Sequence, residues 1–370
     1  MFDTEELVIN MGPQHPSTHG VLRLVLKTDG EIVSEVVPYV GYLHRALEKI
    51  AERVTYIQFM PFTDRLDYLA AMNCNFAYAG AVEKLAGIEV PPRAQGLRVI
   101  FSELNRIASH LVFFGTCGLD LGAWTPLLYA FREREMVLEL FEMTCGARLT
   151  YNYGRIGGVS FDIPPEFEKE TLEFCDYFVP RIKEYNELLT GNRVFVHRTA
   201  NVGVISQEQA KRYSLVGPNL RGSGIKFDLR KDEPYWGYEK YDFNVPVGAG
   251  EYGVVGDAWN RYWVRILEMT ESVKIIRQAL AQLPSGDIIA KVPKVFKPPV
   301  GEAYFRAESP RGETGFYIVS DGTQKPSRLR IRTGSFTGVS IIPEVGKGAM
   351  ISDLVAIVGS MDIILPEIDR

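Results

Sequence analysis

The spacing of apolar residues changes its period twice along this chain, and this change constrains the fold more than any other feature. Alternating apolar residues on both sides of a Thr28-Asp29-Gly30 turn predict a β-hairpin over residues 21–37. From Tyr39 onward, apolar residues recur at helical spacing. Strands are predicted again near the C-terminus, at 303–308, 315–320 and 329–333. This order predicts a mostly helical α+β fold with small β elements at both ends.

Cap and breaker residues divide the middle of the chain into separate helices. The first helix is expected to begin at Tyr39. The second should begin near Thr63 and Asp64, whose side chains can cap it, and should end at Gly87. Further helices are predicted over residues 92–111, 125–148, 165–189, 257–282 and 350–358, of which 257–282 should be the longest. Thr125 should be the N-cap of the second of these. A short helix is predicted after a Ser206/Gln209 capping box.

The most apolar stretch, residues 107–131, does not read as a membrane span. It contains His110, Asp120 and a Thr125-Pro126 break, whereas a spanning helix needs about 20 uninterrupted apolar residues. We expect two helices joined by a loop that holds Asp120. The acidic first residues contain no apolar segment typical of a secretory signal.

Composition narrows the classes of function. With 46% apolar and 24% charged residues the chain resembles an ordinary globular protein, and a net charge of −5 without a basic tail argues against a nucleic-acid partner. No repeat or low-complexity linker interrupts it. We therefore expect one domain over 1–370, with a β region at 1–38, a helical core at 39–290 and an α+β region at 291–370.

The four cysteines, Cys74, Cys117, Cys145 and Cys175, lie far apart and form no C-x-x-C pair. This spacing predicts reduced thiols in a cytoplasmic setting, with no disulfide framework and no zinc or iron–sulfur site. The chain also lacks a phosphate loop, a dinucleotide-binding glycine motif and an evident Ser-His-Asp arrangement.

Two of the five histidines, His15 and His19, lie in a loop rich in glycine and proline over residues 11–20. Their spacing matches that of paired helical metal ligands, but Pro16 disfavours a helix there. Histidine can donate a proton near neutral pH, and loops often carry function. The alternative is that both rings only hydrogen-bond the backbone of the turn.

Tyr68 and Asp120 are polar groups in apolar surroundings. Asp64 and Asp67, placed near a predicted helix start, suit the helix dipole, which is a sufficient structural reason for them. A buried Tyr68 needs a hydrogen-bond partner and could equally be an ordinary core tyrosine. An unpaired buried carboxylate is costly, so Asp120 should belong either to an ion-pair network or to a functional site.

Taken together, several segments resemble one known family. These segments are GPQHPSTHGVLR at 12–23, GYLHR at 41–45, DRLDY at 64–68, SELNRIASH at 102–110, LDLGA at 119–123 and RIGGV at 155–159. They resemble the quinone-site subunit of complex I, which is the 49-kDa subunit in mitochondria and the D-type subunit in bacteria. The similarity runs in order along essentially the whole chain.

This resemblance implies a part in quinone reduction. His19 and Tyr68 would hold the two carbonyl oxygens of the quinone headgroup and supply protons, and Asp120 would partner His19. Electrons would come from a terminal [4Fe-4S] cluster in a neighbouring subunit, and Arg65 and Arg155 would face that cluster. The chain itself would bind no metal and no cofactor other than the quinone substrate.

The resemblance also implies a peripheral subunit of a larger enzyme. Its partners would be the terminal [4Fe-4S] subunit, a 30-kDa-type subunit and the membrane-arm subunits at the quinone channel. The complex would couple quinone reduction by NADH to ion translocation, with this chain on the cytoplasmic face of a bacterial or archaeal membrane. Two alternatives stay open: the same subunit in a ferredoxin- or F420-dependent relative, and a non-catalytic scaffold derived from a hydrogenase.

The chain further resembles the large subunit of membrane-bound nickel–iron hydrogenases, which implies a related helical core. In those enzymes an R-x-C-x-x-C motif and a second cysteine pair near the C-terminus hold the metal. Here Asp67 and Ala70 occupy the first pair of positions, and no cysteine follows Asp362. Nickel in such a site needs thiolates, which excludes hydrogenase activity.

One position departs from the complex I pattern. Many members carry a histidine near the terminal cluster at the position of Thr150. Threonine does not titrate in the neutral range. The sequence therefore predicts a low-potential cluster whose midpoint potential does not depend on pH, suited to menaquinone or a similar acceptor.

Overall fold

The computed structural model describes residues 6–15 and 20–370, and it has β-sheets at both ends of a helical centre. The strands are β1 (Glu6–Met11), β2 (Arg23–Asp29), β3 (Ile32–Tyr39), β4 (Gly154–Arg155), β5 (Gly158–Val159), β6 (Gly301–Ser309), β7 (Gly312–Ser320) and β8 (Arg328–Arg332). The helices are α1 (Leu47–Ala51), α2 (Tyr56–Thr63), α3 (Ala71–Ala86), α4 (Pro92–Asp120), α5 (Thr125–Cys145), α6 (Phe167–Tyr185), α7 (Arg193–Thr199), α8 (Gln207–Arg212), α9 (Gly217–Gly222), α10 (Leu229–Asp232), α11 (Ala258–Ala281), α12 (Gly334–Ser340), α13 (Ile342–Val345), α14 (Ile351–Met361) and α15 (Leu365–Asp369). The predicted class, mostly helical α+β, is confirmed.

The N-terminal sheet has the antiparallel order β1-β2-β3. Its β2–β3 turn falls at the predicted Asp29-Gly30 position, where Asp29 pairs with Ile32. Leu24 and Leu26 alternate with more exposed residues along β2 and are completely buried, in one apolar cluster with residues of α14. The sheet therefore joins the two ends of the chain.

The C-terminal sheet has the antiparallel order β6-β7-β8, and all three strands were predicted. It packs on α3, where the ring of Tyr78 meets that of Phe316 at 5.5 Å between centroids. Helix α3 is almost entirely buried, because its alanines and Gly80 let the sheet approach closely. A Cβ at Gly80 would lie 2.7 Å from the ring of Phe305.

Helices α4, α5, α6 and α11 contribute to the largest apolar cluster at the centre of the chain. Helix α4 extends over 29 residues and is longer than α11, which has 24, so the prediction for the longest helix was wrong. Asp120 is the last residue of α4 and does not lie in a loop. Gly115, in the glycine-containing end of α4, lets α5 approach closely: a Cβ there would lie 2.8 Å from the Leu127 side chain.

Two predicted helix starts were also wrong. Tyr39 ends β3, and the next helix, α1, begins only at Leu47. Instead of opening a helix, Thr63 ends α2, and α3 begins at Ala71. The turn between them is stabilised by Asp67, whose Oδ1 accepts the N–H groups of residues 69 and 70 at 3.1 and 3.2 Å.

Several predicted caps are present. Gly87 ends α3 in the left-handed conformation, with φ of 64°. Ser206 and Gln209 form the capping box of α8, and the side chain of Asp257 caps α11 by accepting the N–H of Asn260. Thr125 is the first residue of α5 and not its cap. No helix in the described part of the chain combines the length and hydropathy needed to cross a bilayer.

The contact between Gly217 and the β6–β7 turn gives a stability prediction. Gly217 has φ of +60°, and a Cβ there would lie 2.3 Å from the Cα of Gly312. Gly217→Ala should therefore push the β6–β7 turn away from α9 and reduce the yield of folded protein. Gly30→Ala is the matched control, since Gly30 has the same φ and nothing within 4 Å of its Cβ position. Gly30→Ala should lower the free energy of unfolding by only about 1 kcal/mol, the cost of a left-handed backbone conformation for a residue with a Cβ. Equal losses in thermal denaturation would contradict the steric argument.

Candidate functional site

Tyr68 lies in the turn between α2 and α3, and 37% of its surface is exposed. The charges of Arg311, Asp67 and Asp362 act on its phenol. Partial burial raises the pKa of Tyr68; the two carboxylates act in the same direction, and Arg311 opposes them. The phenol therefore stays protonated near neutral pH and can donate a hydrogen bond or a proton from a partly open position.

Beneath Tyr68 a buried guanidinium joins three distant parts of the chain. Arg311, in the turn between β6 and β7, donates to Asp67 Oδ2 at 2.7 Å and to Asp362 Oδ1 at 2.9 Å. It also donates to Ser109 Oγ on α4 at 3.0 Å. Asp362 caps the end of α14 in the left-handed conformation, and its Oδ2 lies 3.6 Å from Arg265 Nε.

A further carboxyl group, Glu367, completes what we term the Arg311 cluster: Asp67, Arg311, Asp362 and Glu367. Glu367 is completely buried on α15, and its Oε1 accepts the N–H of Ser335 at 2.8 Å. Burial raises the pKa of Glu367 to about 7, with Asp67 adding to the effect. Burial also raises the pKa of Asp67, against the opposing charge of Arg311. Both carboxyl groups therefore hold a proton more readily than an exposed carboxyl group does.

Asp120 lies at the end of α4, close to α14. One of its oxygens is 3.3 Å from the position that a Cβ on Gly359 of α14 would take. Asp120 and Asp362 both act on the thiol of Cys117, whose pKa is raised mainly by burial. Asp120 and Asp362, at the ends of α4 and α14, therefore both lie close enough to Cys117 to act on its thiol. His15 is exposed, and His19 lies outside the described residues, so the pairing of His19 with Asp120 stays a prediction.

Arg65 and Arg155 are brought close to one buried carboxylate, that of Asp64. Arg65 Nη1 lies 4.0 Å from Asp64 Oδ2, and the charge of Arg155 acts on the same group. The guanidinium groups are oriented by backbone carbonyls: Arg65 donates to Pro61 at 2.6 Å, and Arg155 to Asn152 at 2.6 Å.

Two largely apolar clefts flank these arginines and share Pro61. One, of about 400 Å³, is lined by Arg155 with Met60 and Ile289 among others. The other, of about 330 Å³, is lined by Arg65 with Phe62 and other residues. The exposed Arg65 and the half-buried Arg155 therefore lie beside two neighbouring apolar clefts.

Asp67 and Ala70, which stand where the resemblance to hydrogenases would place the first cysteine pair, do not fit nickel. Asp67 accepts from the guanidinium of Arg311, and Ala70 has no ligand atom in its side chain. Within residues 6–15 and 20–370, no group of three histidine, cysteine or acidic side chains has the arrangement of a metal site. The four cysteines are free thiols, and three of them are buried.

Arg311 and Glu367 are residues of this site that the sequence analysis did not single out. Two weak signals were present. Arg311 is a charged residue between Pro310 and Gly312 in a tight strand connection, and Glu367 interrupts an apolar C-terminal segment. Neither signal indicates the partner, because the ion pairs join residues 51 to 244 positions apart.

Comparison with known proteins places this chain in a class of respiratory oxidoreductase subunits. The family model of the 49-kDa subunit of respiratory-chain NADH dehydrogenase matches residues 120–299 and 291–370, and the chain belongs to this family. The resemblance carried by the sequence motifs is thereby confirmed.

The curated relatives cover the full length of the chain. A D-type subunit of NADH-quinone oxidoreductase from Anaeromyxobacter dehalogenans is 55% identical over 366 residues, covering 99% of this chain and 97% of the relative. Its counterpart in Sorangium cellulosum is 53% identical, covering 99% of this chain and 95% of the relative. The D-type subunit of NADH-quinone oxidoreductase from Bacillus anthracis is 52% identical over all 370 residues of both chains.

Proposed function

We propose that this chain forms the quinone headgroup site of an ion-translocating NADH:quinone oxidoreductase. The observation that carries the proposal is Tyr68, a protonated and partly exposed phenol on which the charges of the buried Arg311 cluster act. The relatives' names, NADH-quinone oxidoreductase, support NADH as electron donor over the ferredoxin- and F420-dependent alternatives.

The geometry suits the chemistry of quinone reduction. A quinone takes up two electrons and two protons, so the site needs proton donors at the carbonyl oxygens. Tyr68 supplies one donor, and His19, with Asp120 as its partner, would supply the other. The Arg311 cluster, with a carboxyl pKa of about 7 at Glu367, provides titratable groups behind the phenol.

Electrons would arrive at the surface formed by Arg65 and Arg155. Arg65 and Arg155, each lining an apolar cleft, would face the terminal [4Fe-4S] cluster of a neighbouring subunit. Apolar clefts with two fixed cations suit a protein partner that carries a negatively charged cluster. We place the assembled chain peripherally on the cytoplasmic face of a bacterial or archaeal membrane, in contact with a 30-kDa-type subunit and with membrane-arm subunits.

Tyr68→Phe in the assembled complex tests the proposal. The ring keeps its packing and loses only the hydroxyl, so quinone reduction should fall about 100-fold, the low end for a positioned general acid. NADH oxidation by an artificial acceptor that takes electrons upstream should persist.

Tyr177→Phe provides the matched control. Tyr177 on α6 is 36% exposed and also loses a hydrogen-bonding hydroxyl, there to Glu133, but it lies outside the proposed site. It should leave both activities unchanged. Full quinone reduction by Tyr68→Phe would show that Tyr68 is an ordinary structural tyrosine and that the headgroup binds elsewhere.

A further inference from the structure

Asp64 is a buried carboxylate, and only one of its two oxygens accepts a hydrogen bond from the described residues. It follows α2 directly, is completely buried, and its Oδ2 accepts the N–H of Asn152 at 2.8 Å. Its Oδ1 is also buried and has no hydrogen-bond partner among the described residues. A buried ionised carboxylate normally has its oxygens satisfied, because the unpaired charged form is costly. The protonated form is much less penalised in such a place.

Among Asp64 and the titratable groups that face it, Asp64 is the one whose charge changes near neutral pH. Arg65 and Arg155 stay cationic. Burial raises the pKa of the thiols of Cys74 and Cys145. The phenol of Tyr151, also near Asp64, has its pKa raised by burial as well, so all three stay protonated and neutral. For Asp64 itself, burial raises the pKa to about 7, against the Asn152 N–H and the two arginines.

We propose that Asp64 takes up a proton when an electron arrives at the face formed by Arg65 and Arg155, and releases it when the electron leaves. The inference rests on the proposed function, in which those arginines face the neighbouring subunit's [4Fe-4S] cluster. One electron from the upstream donor and one proton from water enter together. The same electron then passes to quinone, and the Asp64 carboxyl returns its proton.

Electrostatics gives the reason for this coupling. With Asp64 ionised, the trio of Asp64, Arg65 and Arg155 carries a net charge of one positive unit; with Asp64 protonated, it carries two. An added electron nearby favours the more positive state, and the low dielectric of a buried site strengthens the effect. Thr150, two residues before Asn152, cannot serve in this way. Asp64 thus makes the cluster potential depend on pH, whereas the sequence alone predicted a potential independent of pH.

Redox-poised EPR of the cluster in the assembled complex, over a pH series, tests the inference. In the wild type, the midpoint potential should fall with rising pH around neutrality, approaching about 59 mV per unit, a tenfold change for one proton per electron. In Asp64→Asn, which stays neutral at all pH values, the potential should be independent of pH and match the acid limit of the wild type.

Further variants make the result decisive. Asp64→Glu keeps a carboxyl group and should keep the slope at a shifted pH. Asp162→Asn removes an exposed carboxylate that pairs with Arg93 and should leave the slope unchanged. A flat wild-type potential, or a slope that survives in Asp64→Asn, would overturn the role of Asp64.

Failure of the inference can be told apart from failure of the proposed function. If Arg65→Met and Arg155→Met shift the midpoint potential while Asp64→Asn leaves the slope unchanged, the cluster faces this surface and only the role of Asp64 is wrong. If none of these substitutions alters the EPR midpoint or line shape, the cluster lies elsewhere, and the proposed electron entry is wrong as well.

Discussion

Replacing Arg311 with methionine is expected to remove most of the assembled complex. The substitution keeps much of the volume but leaves Asp67 and Asp362 buried without the guanidinium that joins them. Asp67 would keep only backbone N–H donors among the described residues. Removing one partner of a buried ion pair costs about 3–5 kcal/mol, a large part of the roughly 5–15 kcal/mol that stabilises a domain.

The loss should depend on pH in a defined direction. Without Arg311, the pKa of Asp67, which burial already raises above its ordinary value, rises further in the folded state. The folded state then binds more protons than the unfolded state, so stability falls as pH rises through the folded-state pKa values. The deficit of Arg311→Met relative to wild type should therefore grow between about pH 6 and 8. Thermal denaturation and native gel electrophoresis of the complex at both pH values measure it.

Arg330→Met is the matched control. Arg330 on β8 also pairs with a carboxylate, Glu48 at 2.9 Å, but 61% of its side chain is exposed. An exposed pair contributes about 0–1 kcal/mol, so this variant should assemble normally. Adding Asp67→Asn and Asp362→Asn to Arg311→Met should restore part of the stability, because the buried charges are removed together. A single Arg311→Met complex as abundant and stable as wild type would contradict the role assigned to the cluster.

The parts of the fold that could be predicted are those whose signals lie close together in sequence. The β2–β3 hairpin depends on a local Asp29-Gly30 turn, and the β6–β8 strands on alternation between glycine- and proline-containing turns. Ser206 with Gln209, and Asp257 with Asn260, satisfy helix N–H groups within three residues. These interactions form within one segment and need no knowledge of its tertiary neighbours.

The parts that could not be predicted depend on tertiary contacts. The segment 63–70 looks like a helix start, because Asp64 and Asp67 suit a first turn. In the structure, Asp67 binds Arg311 and Asp64 binds the backbone of Asn152, contacts that span 244 and 88 positions. Likewise, nothing local in the Gly115-containing end of α4 reveals that glycine serves close helix packing there. Tyr68 could be singled out as a polar group in apolar surroundings, but its quinone role came from the family resemblance and its setting only from the fold.

Substituting Glu103 with glutamine should produce a second large loss, from a different buried network. Glu103 on α4 is completely buried and accepts from Arg106 at 3.2 Å, Arg230 at 3.1 Å, the hydroxyl of Tyr238 at 2.7 Å and that of Ser272 at 2.6 Å. An amide removes the charge and points an N–H₂ group at these donors. Two guanidinium groups then lose a shared counter-ion, at a cost of about 3–5 kcal/mol.

The pH dependence distinguishes this network from the Arg311 cluster. Burial alone would raise the pKa of Glu103, but Arg106, Arg230 and the hydrogen bonds outweigh it and hold the pKa below its ordinary value. A depressed folded-state pKa contributes stability that is present above the unfolded pKa and is lost as pH falls through the folded one. The deficit of Glu103→Gln should therefore be constant between about pH 6 and 8, where that of Arg311→Met grows.

Glu139→Gln, at an exposed position of α5, serves as the control, and it should unfold with the wild type in thermal denaturation. If Glu103→Gln unfolds with that control, the four donors do not depend on the carboxylate charge. If its deficit instead grows with pH, the charge change has reached titratable groups of the Arg311 cluster. Both networks connect α4 to the β6–β7 hairpin, through Ser109 with Arg311 and through Arg106 with the backbone carbonyl of Glu308. They would then act as one electrostatic unit.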